Sequence, residues 1–441
     1  MKKYLFLMMS AVLALMLTAC DDSDNDEVKL VDLTIQVTGT DDLAGFEVLL
    51  TNTTTAYVFT QTTDEEGKAV FSVTPGVYEA SVSQVRYIEG YRYVFNGLTS
   101  NITLTSDQTN EATIELKEAK TSSQLIIKEL YNGGCPKDDG SGFFQMDKCV
   151  VLYNNCPQQA VVNNLCIGFA TPYNAEAQED NRDASGNLVY EAEGFTPALN
   201  GIWYYPHSLV IEPYSQVVVN MTGAIDNTLT YSQSVNYANP AYYCLYDPES
   251  GYNNTSYYPT PADVIPTSHY WKAIKYGQGN AWPVSVNSPA LFIFQPQGVA
   301  PGEYAMNADN FWYPPTKAHD DIHACLRIPN EWIIDAVEVF NAAKKEESNK
   351  RLSAELDGGY VYLTNKLGHS LYRNVDEEWT LELSENQGKL VYGYSLGVDG
   401  STDPSGIDAE ASIARGAHII YQDTNNASED FHERQRCSLR E

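Results

Sequence analysis

The feature that most constrains this chain is a period of two. Apolar and polar residues alternate in short runs at 33–37 (LTIQV), 46–50 (FEVLL), 69–73 (AVFSV) and 78–82 (YEASV). Alternation at that period puts every second side chain on one face of an extended strand, so each run can bury one face and wet the other. Turn residues separate them, at 64–67 (DEEG) and at Pro75 and Gly76. Short strands broken by turns at this spacing predict a small β-sandwich over 29–118. A short polar stretch, 119–123, reads as a linker. From 124 to 441 the chain is again rich in strand patterns, at 125–131, 148–153, 209–211, 217–220 and 331–335. One stretch differs. Residues 341–355 include Ala342, Ala343, Lys344, Lys345, Glu346, Glu347 and Ala354, good helix formers that predict a single helix. The expected architecture is all-β, with two successive sandwiches, long loop insertions in the second, and that one helix.

The N-terminus carries an address. Lys2 and Lys3 precede an apolar run from 4 to 17, broken only by Ser10. A membrane-spanning helix needs ~20 apolar residues, so this shorter run fits the core of a signal peptide. It closes on Leu17, Thr18, Ala19 and Cys20, which resembles the lipobox of bacterial lipoproteins. That resemblance implies a signal peptide over 1–19, cleavage before Cys20, and a diacylglycerol on its sulfur with a palmitate-like chain on the new amine. Two or three acyl chains anchor stably where one is marginal. Asp21, Asp22, Asp24, Asp26 and Glu27 then dominate a stretch, 20–28, that cannot bury apolar surface and should be a solvated tether. This run resembles the acidic export signal of Bacteroidota surface lipoproteins. The expected location is therefore the outer membrane, lipid-anchored and exposed at the cell surface.

Charge excludes one class of partner. The chain has 27 Lys and Arg against 58 Asp and Glu, a formal net charge of −31 at pH 7, with no basic stripe. Phosphate contacts are made by Lys and Arg, so nucleic acid is not an expected partner. Apart from Cys20 the cysteines are Cys135, Cys149, Cys156, Cys166, Cys244, Cys325 and Cys437, an odd number, so one thiol at least stays unpaired in a monomer. An exported chain can hold disulfides, and one or two are expected among the four cysteines from Cys135 to Cys166, with connectivity open. No C-x-x-C occurs, which argues against a structural zinc site.

Longer resemblances name families. The order of 44–48 (AGFEV), 62–64 (TTD), 67–69 (GKA) and 75–78 (PGVY) resembles the carboxypeptidase regulatory-like, transthyretin-like domain. It implies that Gly67 turns a hairpin, that Gly76 opens a strand, and that the unit is a passive module. The strings 129–131 (ELY), 148–155 (KCVVLYNN) and 162–168 (VNNLCIG), with later counterparts at 209–213, 216–219, 334–337, 370–373 and 423–431, resemble a lamin-tail, immunoglobulin-like sandwich with insertions near 172–206 and 221–312. As a whole, with 132–142 (NGGCPKDDGSG), 319–323 (HDDIH) and 404–410 (PSGIDAE), the chain resembles a Bacteroidota lipoprotein family, domain-of-unknown-function family 4876. That family supplies no chemistry.

Three constellations remain as candidate sites. His319 and His323, four apart, would face one way on a helix, with Asp320 or Asp321 completing a metal site; no H-E-x-x-H is present, so a zinc protease is not implied. Asp399, Asp403 and Asp408 supply oxygen ligands at short spacing, as calcium prefers, but without the EF-hand's glycine and terminal glutamate. No cofactor is required by either, and a metal ion is the one cofactor they would admit. The insertion 242–282 is dense in rings, and Tyr257, Tyr258, Tyr270, Trp271, Tyr276 and Trp282 would form a contact surface for protein or sugar if exposed. No nucleophile elbow, phosphate loop or Cys/His signature appears. The leading expectation is a binding module, with an outer-membrane nutrient transporter as its partner. A surface glycan or peptide hydrolase, or a structural or adhesive surface protein, are the alternatives.

Overall fold

The structure, a computed structural model, describes residues 30–88, 91–106, 110–119, 124–177 and 181–440. The expected signal peptide and acidic tether, with Cys20, lie outside the described residues. The chain is all-β, in large sheets with a few short helices. No helix among the described residues is long and apolar enough to cross a membrane.

The N-terminal sandwich is built from eight strands: β1 (Val31–Thr38), β2 (Glu47–Asn52), β3 (Val58–Thr62), β4 (Lys68–Val73), β5 (Gly76–Ile88), β6 (Tyr91–Leu104), β7 (Asn110–Glu115) and β8 (Lys117–Ala119). One sheet runs β4-β1-β7, the other β3-β2-β5-β6-β8. The alternating residues do what their period dictates. Leu33, Ile35, Val37, Val48, Leu50, Phe71, Tyr78, Ala80 and Val82 pack as one buried core between the two sheets. Gly67 closes the turn before β4 at φ +78°, and a Cβ there would stand 2.8 Å from the Val37 carbonyl oxygen, so only glycine fits.

Beyond it, twelve strands form one long sheet. It runs from Val361–Leu363 through Ile333–Asn341, Ala290–Phe294, Cys166–Phe169, Gly201–Tyr204, Tyr270–Lys275, Tyr243–Leu245, Gln216–Thr222 and Lys148–Asn154 to β9 (Leu125–Tyr131), Ser370–Arg373 and Phe431–Arg434. Its two ends come back together, where the Thr364 amide donates to Glu433 at 2.9 Å, and the sheet folds over one shared core as the second sandwich. β9 and Lys148–Asn154 are buried on both faces. One face meets the main core of Leu152, Trp203, Trp271 and Ile293; the other is covered by the chain around Ile407, Ile419 and Tyr421.

Two expectations are corrected. The stretch 341–355 is not a single helix. Ala342–Glu347 is a 3-10 turn broken at Lys344, whose φ is −132°. Tertiary bonds override its propensity. Arg351, 1% exposed, gives Nε and Nη2 to Glu338 Oε1 at 2.9 and 2.6 Å, and the Arg351 and Leu352 amides donate to Glu338 Oε2. That bracket holds the following chain extended. Among the described residues the α-helices are instead short turns at Pro301–Met306, Glu377–Glu382, Ala409–Ala414 and Ala427–Asp430. The cysteine expectation also fails, because Cys135, Cys149 and Cys166 are buried free thiols, which leaves no bridge within that cluster. Each lies in its own strand; Cys149 and Cys166 pack among apolar neighbours, while Cys135 Sγ lies 3.5 Å from Ser234 Oγ.

Candidate functional site

The three constellations read from sequence do not assemble into sites. Residues 319–323 form turns rather than a helix, so the four-residue spacing does not align the two imidazoles. The His319 ring stacks on Tyr313 with centroids 4.5 Å apart, while His323 Nδ1 lies 2.7 Å from Asp320 Oδ1. Asp321 is exposed. Asp403 is buried and accepts from the Val375 and Ser405 amides, both at 2.9 Å. Asp408 caps the helix Ala409–Ala414 through the Ala411 amide at 3.0 Å, and Asp399 is exposed on a turn. Among the described residues no group of three or more His, Cys, Asp or Glu could hold a metal ion.

Half of the six rings named in the aromatic insertion belong to the core. Tyr258, Trp271 and Trp282 are buried, while Tyr257, Tyr270 and Tyr276 are half-buried. Trp282 Nε1 donates to the Gly201 carbonyl at 2.9 Å and its backbone amide donates to the Tyr258 hydroxyl oxygen at 2.9 Å. Trp203 packs against Tyr252 and Tyr258, each with centroids 5.6 Å away. The rings of this loop fold onto each other and onto the long sheet, so the buried ones cannot meet a ligand.

What the fold builds is a cleft between the two sandwiches, of about 770 Å³. Its floor is the outer face of the five-stranded sheet. Residues 47, 49, 58, 60 and 62 alternate with the core residues Val48 and Leu50, so Glu47, Leu49, Val58, Thr60 and Thr62 turn outward together. The opposite wall is built from three segments of the second sandwich, bearing Asn163 and Asn164, then Gln295, Gln297 and Glu303, then Glu331. Buried amides and hydroxyls clamp its back. Gln295 Nε2 donates to Ser83 Oγ at 3.0 Å and to the Asn163 carbonyl at 3.1 Å, and Ser81 Oγ lies 2.7 Å from Ser208 Oγ and 3.0 Å from Asn163 Oδ1. The lining has three carboxylates and no Lys, Arg or His. Burial raises the Glu47 carboxyl above its ordinary range. Sequence reading missed all of these residues. The run 58–62 (VFTQT) lies outside the alternating runs read from the sequence, and no periodicity shows its meeting with residues more than 200 positions away.

Charged groups elsewhere are structural. Arg373 sits among Asp335 at 2.5 Å, Asp423 at 3.1 Å and Asp430 at 3.7 Å, all buried. Lys128 reaches Glu410 at 2.7 Å and Gln216 at 2.6 Å, among the rings of Tyr153, Tyr372 and Tyr421.

The class defined by this fold is an all-β protein of stacked sheets with a polar cleft between its two cores. Residues 212–393 match the model of the family described as "Protein of unknown function (DUF4876)", the family that the sequence strings resemble. A solved DUF4876 family protein from Bacteroides thetaiotaomicron is similar over 91% of this chain and 94% of its own, at 19% identity and a TM-score of 0.50, a likeness of fold. A DUF3823 family protein from Parabacteroides merdae aligns with 44% of this chain and 81% of its own, at 9% identity and a TM-score of 0.16. A candidate adhesin from Bacteroides ovatus aligns with 79% of this chain and 98% of its own, at 10% identity and a TM-score of 0.18. Likenesses that low carry no argument. No curated protein matches the chain.

Proposed function

We propose that this chain is a lipid-anchored binding module of the outer cell surface, with its ligand site in the cleft between the sandwiches. One observation carries the reading: a cleft of about 770 Å³ whose walls offer amides, hydroxyls and carboxylates but no cation. Such a lining hydrogen-bonds a polar ligand and favours a neutral or cationic one over an anion. Display at the surface rests on Cys20 and the acidic run behind it. An outer-membrane transporter remains the proposed partner, to which such a module would deliver or hold a ligand.

The test is site-specific crosslinking in intact cells. A photo-reactive residue in place of Gln297, in the cleft, should yield an adduct with a cell-surface component; the same residue in place of Asp183, exposed and outside the cleft, should not. Equal labelling at both positions, or none at Gln297, overturns the reading. Turnover of chromogenic glycosides or peptides that vanishes in Glu47→Gln would replace it with a hydrolase.

A further inference from the structure

The cleft opens beside a bare sheet edge. β3 pairs with β2 and with no other strand among the described residues. The register fixes which backbone groups are spent. The Asn52 amide donates to the Tyr57 carbonyl at 2.8 Å and the Thr63 amide to the Phe46 carbonyl at 2.9 Å. In an antiparallel pair such bonded positions alternate with unbonded ones, so Tyr57, Phe59, Gln61 and Thr63 bond to β2. The N–H and C=O groups of Val58, Thr60 and Thr62 therefore point away from it, into the open edge. These same three residues turn their side chains into the cleft.

Folded proteins usually blunt such an edge with a lysine, a proline, a bulge or a very short strand. The other end of this sheet does so: β8 is three residues long and reads KEA. β3 reads VFTQT, with no charge, no proline and no glycine, and all five residues are exposed. Tyr57 and Val58 add exposed apolar surface, at 71% and 43%.

We propose that β3 receives an extended polypeptide strand from a partner, which pairs with Val58, Thr60 and Thr62 and presents alternate side chains to the cleft. Main-chain pairing supplies affinity in this mode, and the pocket beside it reads every second residue. Glu47, Glu303 and Glu331 line that pocket unopposed by any cation, so the residues read there are Lys or Arg. The occupant is a basic, extended segment. This inference rests on the cleft being the binding site and names what enters it.

The test uses the full-length protein and a displayed library of random decapeptides. Selection on wild type, with counter-selection on Thr60→Pro, should enrich peptides with Lys or Arg at alternate positions. Proline is tolerated where the N–H faces outward from an edge strand, so Thr60→Pro should fold while losing the ladder. Binding of a selected peptide should weaken roughly tenfold or more in Thr60→Pro, and also in the triple variant Glu47→Gln/Glu303→Gln/Glu331→Gln. Against wild type, N-methylating alternate amides of the peptide should abolish binding in one phase of the alternation and spare it in the other, a readout free of any folding defect. Three results each overturn the proposal: no peptide enriched over Thr60→Pro, enriched peptides without basic alternation, or N-methylation that acts in both phases or neither. A dimer of the protein that Thr60→Pro dissolves would also overturn it, by assigning the edge to a second copy. Glycans that bind wild type and fail on Glu47→Gln, with no peptide selected, would leave the cleft as the site and remove the strand.

Discussion

His432 shows how one buried side chain ties stability to acidity. It is 2% exposed, with Nδ1 2.7 Å from Asn374 Oδ1 and Nε2 2.6 Å from the Tyr394 hydroxyl. A neutral ring satisfies both partners, donating from Nδ1 and accepting at Nε2. Burial, aided by the charge of Arg434, pushes the imidazole down to about 3. The unfolded chain, with histidine near ~6.5, then binds the extra proton between these values, so stability is full above ~6.5 and falls as pH drops toward 3. Urea unfolding from pH 7 to 4 should show a loss that His432→Gln reduces; an identical slope in both proteins would place the pH dependence elsewhere. Arg351 gives a second residue-scale prediction. With Arg351 1% and Glu338 0% exposed, Arg351→Met strands a buried carboxylate and should cost about 3–5 kcal/mol. Adding Glu338→Gln to that variant should recover part of the loss, read from chemical denaturation midpoints. None of this was legible in the sequence, where Arg351 is one charge in a polar run and Glu338 lies 13 residues before it.

At the scale of elements, the strand runs were legible where one face is dry and the other wet. β1, β4 and the start of β5 lie where the alternation puts them. So does the turn glycine. Gly67→Ala must hold an L residue at φ +78° against the Val37 carbonyl, and should destabilise by roughly 1–2 kcal/mol or more, checked by thermal unfolding. Gly186→Ala, also at positive φ but with no atom near its Cβ, isolates the backbone part of that cost. Elements decided by contacts from afar were misread. The expected helix at 341–355 gave way because Glu338 binds the backbone that would have continued it. The aromatic loop looked like a display surface because composition records rings but not what covers them.

Across the whole molecule, the two sandwiches meet through polar side chains: Ser81, Ser83, Asn163, Ser208 and Gln295. A polar junction of this kind couples units less tightly than a shared apolar core. Gln295→Ala removes the bonds to Ser83 and Asn163, and calorimetry should then resolve two transitions where the native protein melts with more overlap. A single unbroken transition in that variant would show that other contacts carry the coupling. The sequence by itself determined the strand class, the small sandwich's inward residues and the family resemblance, because period-two burial and short motifs are local properties of a chain. The tertiary structure alone decided the burial of Cys135, Cys149 and Cys166 as free thiols, the different partners of His319 and His323, and the cleft. Its floor and wall come from residues as far apart as Glu47 and Glu331, and no periodicity encodes which distant loop will close over an outward-facing strand.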